Sequence, residues 1–147
     1  VAERGTPEQQ AVCEQLWAGA LDTIEKVRRY YDLMGPLYAR RFDPVAAAAV
    51  RERGIHSPEA LNQAFAPGGF LRSYDLRPEL KNIVAPTLII AGRHDWICPP
   101  EFSEEIHRLI PGSDLRVFDE SSHSVRVDEP EKLVDAIQGF LVYRRRA

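Results

Sequence analysis

The chain has 147 residues, 44% hydrophobic and 28% charged, which is enough apolar material for one core and too much for extended disorder. Its net charge of −3 gives no general attraction for nucleic acid or an anionic membrane, and no apolar run approaches the roughly 20 residues that span a bilayer. Two cysteines, Cys13 and Cys98, are too few and too far apart for a disulfide framework or a zinc site. The expectation is a reducing, cytoplasmic setting with no bound metal or cofactor. The first residues, VAERGTPEQQ, do not resemble a signal peptide. They read as polar linker sequence, as in a fragment, a processed product or a trimmed polypeptide.

From Thr6 to about Ala66 the pattern is helical. Thr6 is placed as N-cap, Pro7 as the first helical residue and Gln9 as the closing member of a capping box. Behind them Cys13, Leu16, Trp17, Ala20, Leu21, Ile24 and Val27 recur at three- and four-residue steps as one apolar stripe. Asp22 and Glu25 offer a second helix start inside it, Gly19 softens the join, and Gly35 and Pro36 end or kink it. Asp43 and Pro44 begin a helix that Gly54 stops near Arg53, and Ser57 and Pro58 begin another that ends near Ala66. Pro67, Gly68 and Gly69 form a loop at which the character of the chain changes.

The run Thr87 to Ala91 is continuously apolar and β-branched, as in a strand buried on both faces of a parallel sheet. A helix from Pro99 to Ile110 follows, with Phe102, Ile106, Leu109 and Ile110 on one face. After the Pro111-Gly112 turn, Leu115, Val117 and Phe118 mark a second strand. A last helix from Pro130 to about Tyr143 buries Leu133, Val134, Ile137, Phe140 and Leu141, with Arg144, Arg145 and Arg146 as cations beyond its negative end. This order predicts an α/β fold in which residues 1–70 are helical and residues 71–147 form a parallel strand and helix unit.

Functional groups in open parallel sheets gather in the loops beyond the C-terminal ends of the strands. The first such loop, Gly92 to Pro100, carries Asp95; the second, Asp119 to Arg126, carries His123. The run PTLIIAGRHDWICPP, a helix, IPGSDLRVF and then ESSHSVRVDEPEKL resembles the end of an α/β-hydrolase, whose triad runs Ser, Asp, His along the chain. The helical first half is similar in layout to the cap of proline iminopeptidase-like hydrolases. The resemblance implies the C-terminal portion of the fold, its last two parallel strands with flanking helices, preceded by a helical cap over residues 1–70.

It also implies roles. Asp95 would orient the imidazole of His123 and stabilise its protonated form; His123 would take a proton from a serine hydroxyl and return it to the leaving group. No GxSxG elbow or oxyanion hole is present. Ser113 lies in a Pro-Gly turn, and Ser121, Ser122 and Ser124 flank the histidine. Nucleophile and remaining strands are expected in a missing N-terminal half, so the isolated chain is expected to be inactive and to expose a strand edge.

Trp96, beside the acid, and Trp17, in the cap, are candidate substrate contacts, with core packing as the alternative for both. Tyr30, Tyr31 and Tyr38 carry the same two readings. An aminopeptidase needs a carboxylate for the substrate's amino group, and Glu14, Asp22 and Glu25 are available, solvated helix charge being the alternative. Arg126 would pair with Asp128 or Glu129, or reach an acidic substrate group. His94 is structural or solvent-facing, and His56 and His107 have no visible partner. The substrate is expected to be a small molecule or short peptide cleaved at a peptide, ester or amide bond. Two alternatives stand beside the serine hydrolase. One is an aspartate-nucleophile enzyme of the dehalogenase or epoxide hydrolase type. The other is a non-catalytic interaction module, which predicts Asp95 and His123 held apart.

Overall fold

The computed structural model describes residues 5–144; of the basic run, Arg145 and Arg146 lie outside them. The helices and strands follow in the order α1 (Pro7–Ala18), α2 (Ile24–Tyr38), α3 (Pro44–Arg53), α4 (Pro58–Phe65), β1 (Leu88–Gly92), α5 (Pro100–Leu109), β2 (Asp114–Phe118), α6 (Val125–Asp128) and α7 (Pro130–Arg144). Short 3-10 segments lie at Phe70–Arg72 and Arg77–Asn82. The chain divides into two units. One holds the described residues up to Pro36 together with Phe42–Asp75; the other holds Leu37–Arg41 together with the residues from Leu76 onward.

In the first unit the capping box forms as expected. Thr6 N–H donates to Gln9 Oε1 at 2.9 Å, and Gln9 N–H donates to Thr6 Oγ1 at 3.3 Å, so two of the helix's orphan donors are satisfied reciprocally. The single apolar stripe is not continuous. Gly19 takes the left-handed conformation (φ 72°) at the C-terminus of α1, a backbone state that a side chain disfavours. α2 then restarts at Ile24, so residues three and four apart across the break no longer share a face. Val12, Leu16, Leu21, Val27, Tyr30 and Met34 are buried, whereas Trp17 and Ile24 of the expected stripe are exposed. Gln9 Nε2 donates to Leu33 O at 2.8 Å and ties α1 to α2.

α2 runs through Gly35 and Pro36 to Tyr38. A proline so near the helix end removes one backbone donor and leaves the earlier turns intact. Asp43 caps α3 by accepting from Val45 and Ala46 N–H at 2.8 and 3.2 Å, and Ser57 caps α4 by accepting from Ala60 N–H at 3.1 Å. Gly54 ends α3 in extended backbone (φ −76°) rather than as a left-handed cap.

In the second unit β1 and β2 pair in parallel, with Leu88 opposite Asp114 and Gly92 opposite Phe118, and α5 packs on both strands. β1 is not buried on both faces: Leu88, Ile89 and Ile90 are half-buried, and only Ala91 and Gly92 are buried. Among the described residues β2 is its one strand neighbour. The expected apolar faces of α5 and α7 are likewise covered only in part among the described residues, with Ile110 buried and Leu109, Leu133 and Phe140 half-buried. Phe102, Ile106, Val134, Ile137 and Leu141 are exposed, because helical spacing marks an apolar face but not what lies against it. The expected loop after β2 contains one further helical turn, α6. No helix among the described residues is long and apolar enough to cross a membrane.

Candidate active site

The parallel register places the C-terminal ends of both strands side by side, and the loops that leave them are bonded together. Arg93 N–H donates to Phe118 O at 2.8 Å and His94 N–H to Ser121 O at 2.9 Å. Gly92 makes this approach possible. A Cβ there would lie 2.7 Å from Ser121 O and closer still to Ser122 O, so any side chain would push the second loop away.

Asp95 divides its carboxylate between two tasks. Oδ1 accepts from Ile97 N–H at 2.9 Å and Cys98 N–H at 3.0 Å, which is the local turn that an aspartate after a strand commonly makes. Oδ2 accepts from His123 Nδ1–H at 2.9 Å. The turn is thus made on one oxygen, and the contact to the imidazole, which is the contact a triad acid requires, on the other. The Asp95 side chain is sheltered at 8% exposure, while that of His123 keeps 36%. With the Nδ1 proton given to Asp95, a neutral ring has Nε2 free to accept a proton.

The segment Leu37–Arg41, which the sequence assigns to the helical half, is part of this unit. Trp96 Nε1–H donates to Leu37 O at 2.7 Å, and Tyr38 stands edge-on to both Trp96 (6.3 Å, 86°) and His123 (5.4 Å, 82°). Ser122 Oγ lies within hydrogen-bond distance of Leu37 O (3.3 Å) and His94 O (3.2 Å), and Ser124 N–H donates to Tyr38 O at 2.8 Å. Trp96 thus has its indole N–H committed to packing the acid loop. Trp17 lies in the other unit, with the Arg72 guanidinium 4.9 Å above its ring and Phe65 edge-on at 5.4 Å. Glu14, Asp22 and Glu25 are exposed in that unit too. Asp22 pairs with Lys26 at 2.6 Å, which holds its carboxyl below the ordinary range.

Two carboxylates were expected as partners of Arg126 and are occupied otherwise. Asp128, fully buried, accepts from Arg41 N–H on Oδ1 at 2.8 Å and from Ser122 N–H on Oδ2 at 2.9 Å. Glu129 accepts from Glu120 N–H (3.0 Å) and the Ser121 hydroxyl (2.7 Å) on Oε2, and from Lys132 Nζ (2.7 Å) on Oε1. The ammonium of Lys132 and, next, the Ser121 hydroxyl hold Glu129 below the ordinary carboxylate range. Arg126 stands exposed. Adjacent acids just after a loop full of donors, ESSHS, are the signal that could have marked this role.

Among the described residues no serine hydroxyl bonds the His123 ring. Ser121 donates to Glu129, and Ser113 ties the end of α5 by its contacts with Ile110 O (2.9 Å) and His107 Nδ1 (2.8 Å). His107 thus has a partner after all, and so has His56, whose Nε2 lies 2.9 Å from Arg51 O. The Cys98 thiol is pushed up by burial first and by the Asp95 charge second, which disfavours the thiolate. Asp95, Cys98 and His123 offer ligand atoms within 4.8 Å of one another. That group could take a soft divalent cation only by drawing in, since ligand atoms on zinc sit about 3.5 Å apart given bonds of 2.0–2.3 Å.

An open hollow of about 450 Å³, lined by Leu88, Asp114, Arg116, Asp135 and Phe140 among others, shares no residue with the Asp95–His123 pair. It includes the first residues of both strands, the end of a parallel sheet opposite to that where sites form.

No family model matches the chain. It is 32% identical over 123 residues to a proline iminopeptidase of Pestalotiopsis fici, a match covering 84% of this chain and 43% of that protein. It is 33% identical over 130 residues to a pimeloyl-[acyl-carrier protein] methyl ester esterase of Vibrio cholerae, covering 88% and 49%. Among solved structures, an esterase from Exiguobacterium antarcticum superposes with a TM-score of 0.70 at 28% identity, covering 90% of this chain and 47% of that one. The chain spans less than half the length of these relatives and matches their C-terminal part. On fold and sequence together, the chain belongs to the α/β-hydrolase superfamily.

Proposed function

We propose that Asp95 and His123 are the acid and the base of a serine hydrolase that releases an N-terminal residue from a peptide or cleaves a related small ester or amide. The observation that carries the reading is the 2.9 Å bond from His123 Nδ1 to a sheltered Asp95 oxygen. Nε2 of the same ring takes the proton of the attacking hydroxyl, Asp95 stabilises the imidazolium that results, and the proton passes to the leaving group. The nucleophile and the oxyanion donors come from the part of the fold that the relatives carry outside the matched region. Residues 1–70, less the segment Leu37–Arg41 that belongs to the other unit, serve as the cap. The non-catalytic reading requires the pair held apart, and the bond between them removes that support.

The test completes the hydrolase by co-expressing the chain with the N-terminal half of a relative such as the Exiguobacterium antarcticum esterase. Aminoacyl p-nitroanilides, proline included, and short acyl p-nitrophenyl esters are then assayed. The expected result is no turnover by the chain alone and turnover by the completed protein that His123→Ala abolishes. Turnover by the chain alone, lost in His123→Ala, overturns the external nucleophile; completed turnover indifferent to His123→Ala overturns the base role.

A further inference from the structure

We infer that Asp128 is a positioning residue for His123, clamping the histidine loop to the segment Leu37–Arg41 so that the ring is held between Asp95 and Tyr38. The inference rests on the acid and base reading above and adds a residue that does not touch the reacting atoms. Its carboxyl is fully buried, and each oxygen accepts from the backbone of a different stretch of chain, Arg41 N–H on one side and Ser122 N–H on the other. A buried carboxyl so placed satisfies donors that would otherwise be stranded in the interior.

The local fold exists to bring it there. α6 is a single turn in which Val127 and Asp128 N–H return to Ser124 O at 2.8 and 3.1 Å, folding the chain back until Asp128 lies against the N–H of a residue six positions earlier. Glu129 takes Glu120 N–H and the Ser121 hydroxyl, so two consecutive acids hold the three residues that precede His123. At the residue after His123, Ser124 N–H bonds Tyr38 O, and the Tyr38 side chain meets the ring edge-on at 5.4 Å. The direction of Nδ1 toward Asp95 thus depends on two backbone stretches, and Asp128 joins them through a carboxyl that can accept on both sides at once.

Asparagine is the decisive substitution. It has the shape of aspartate but only one acceptor oxygen, and it turns an amide N–H toward one of the two donors. A residue that merely fills space tolerates the change; a clamp does not. In the isotope-labelled full chain, the Nδ1–H proton of His123 should give a downfield NMR resonance that exchanges slowly with water. Asp128→Asn is expected to speed that exchange at least about tenfold with the circular dichroism spectrum unchanged, and Asp128→Glu, which keeps both acceptors, to recover part of the protection. In the completed hydrolase, Asp128→Asn is expected to lower kcat up to about 100-fold with KM little changed, the scale of loss that follows a small displacement of a reacting group.

A folded Asp128→Asn chain whose Nδ1–H exchanges as in the parent overturns the clamp. Should the variant fail to fold, native-state hydrogen exchange of the parent decides: protected Arg41 and Ser122 amides support the clamp, and exchange of either at the rate of an exposed loop amide overturns it. Failure of the underlying reading looks different. Intact Asp128-dependent protection beside turnover indifferent to His123→Ala overturns the base role and, with it, the catalytic meaning of the clamp.

Discussion

Tyr38 meets His123 edge to face, with ring centroids 5.4 Å apart and planes at 82°, although the two residues lie on opposite sides of the segment change in sequence. Tyr38 also stands against Trp96, so it is the aromatic link between the acid loop and the base loop. Tyr38→Ala should destabilise the chain by about 2 kcal/mol, combining lost ring contacts with a partly buried void. Tyr38→Phe keeps both edge contacts and should cost less than Tyr38→Ala. Urea denaturation followed by circular dichroism checks both, and equal losses in the two variants would contradict the aromatic link.

Gly92 is the backbone counterpart of that link. Because a Cβ there collides with Ser121 and Ser122 carbonyls, Gly92→Ala should cost about 1–3 kcal/mol, the usual range for forcing atoms into packed space. It should also lengthen the Asp95–His123 contact. A denaturation midpoint unchanged from the parent would contradict the close approach.

Glu129 gives the fold a dependence on acid. Lys132 and then Ser121 hold its carboxyl below the ordinary value of 4.5, so the folded state releases the proton more readily than the unfolded one. The stability contributed is therefore complete above the unfolded value and is lost as the pH falls through the folded one. Glu129→Gln should be less stable than the parent at pH 7 and should lose less on going below about pH 4.5. Parallel curves for parent and variant in urea titrations across that range would contradict the assignment.

Trp96 separates packing from recognition. Its indole N–H is bonded to Leu37 O, so Trp96→Phe should cost about 1 kcal/mol for the lost hydrogen bond and leave KM in the completed hydrolase close to the parent value. A large rise in KM with stability unchanged would return Trp96 to the substrate site.

The loops that carry Asp95 and His123 were legible in the sequence because strand ends announce themselves, as where the run Thr87 to Ala91 stops at a glycine, and the resemblance to α/β-hydrolases singled out these two residues within them. The clamp was not legible. It is built from Leu37 O, Tyr38 O, Arg41 N–H and Ser122 N–H, backbone groups that every residue carries, and the bonds close over more than 80 positions of sequence. Asp128 read as a partner for Arg126 because sequence shows neighbours, not folds of the chain such as α6. The same limit explains α7, where helical spacing revealed the apolar face of Val134, Ile137 and Leu141 but not its exposure. The break at Gly19 was visible as a soft join with a second helix start at Asp22 and Glu25, yet apolar three- and four-residue steps that continue by chance across it made the two helices look like one stripe.

The most direct measurement of the central claim is the turnover of Asp95→Asn in the completed hydrolase. Asparagine can keep the Oδ1 contacts to Ile97 and Cys98 N–H while presenting an N–H to His123 Nδ1, which forces the ring into the wrong tautomer. The account predicts an unchanged fold, a KM near the parent value and a kcat lower by about 10⁴-fold, the loss seen when a triad carboxylate is replaced in this way. A folded Asp95→Asn protein with kcat within about tenfold of the parent would contradict the pairing of Asp95 with His123 as the working acid and base.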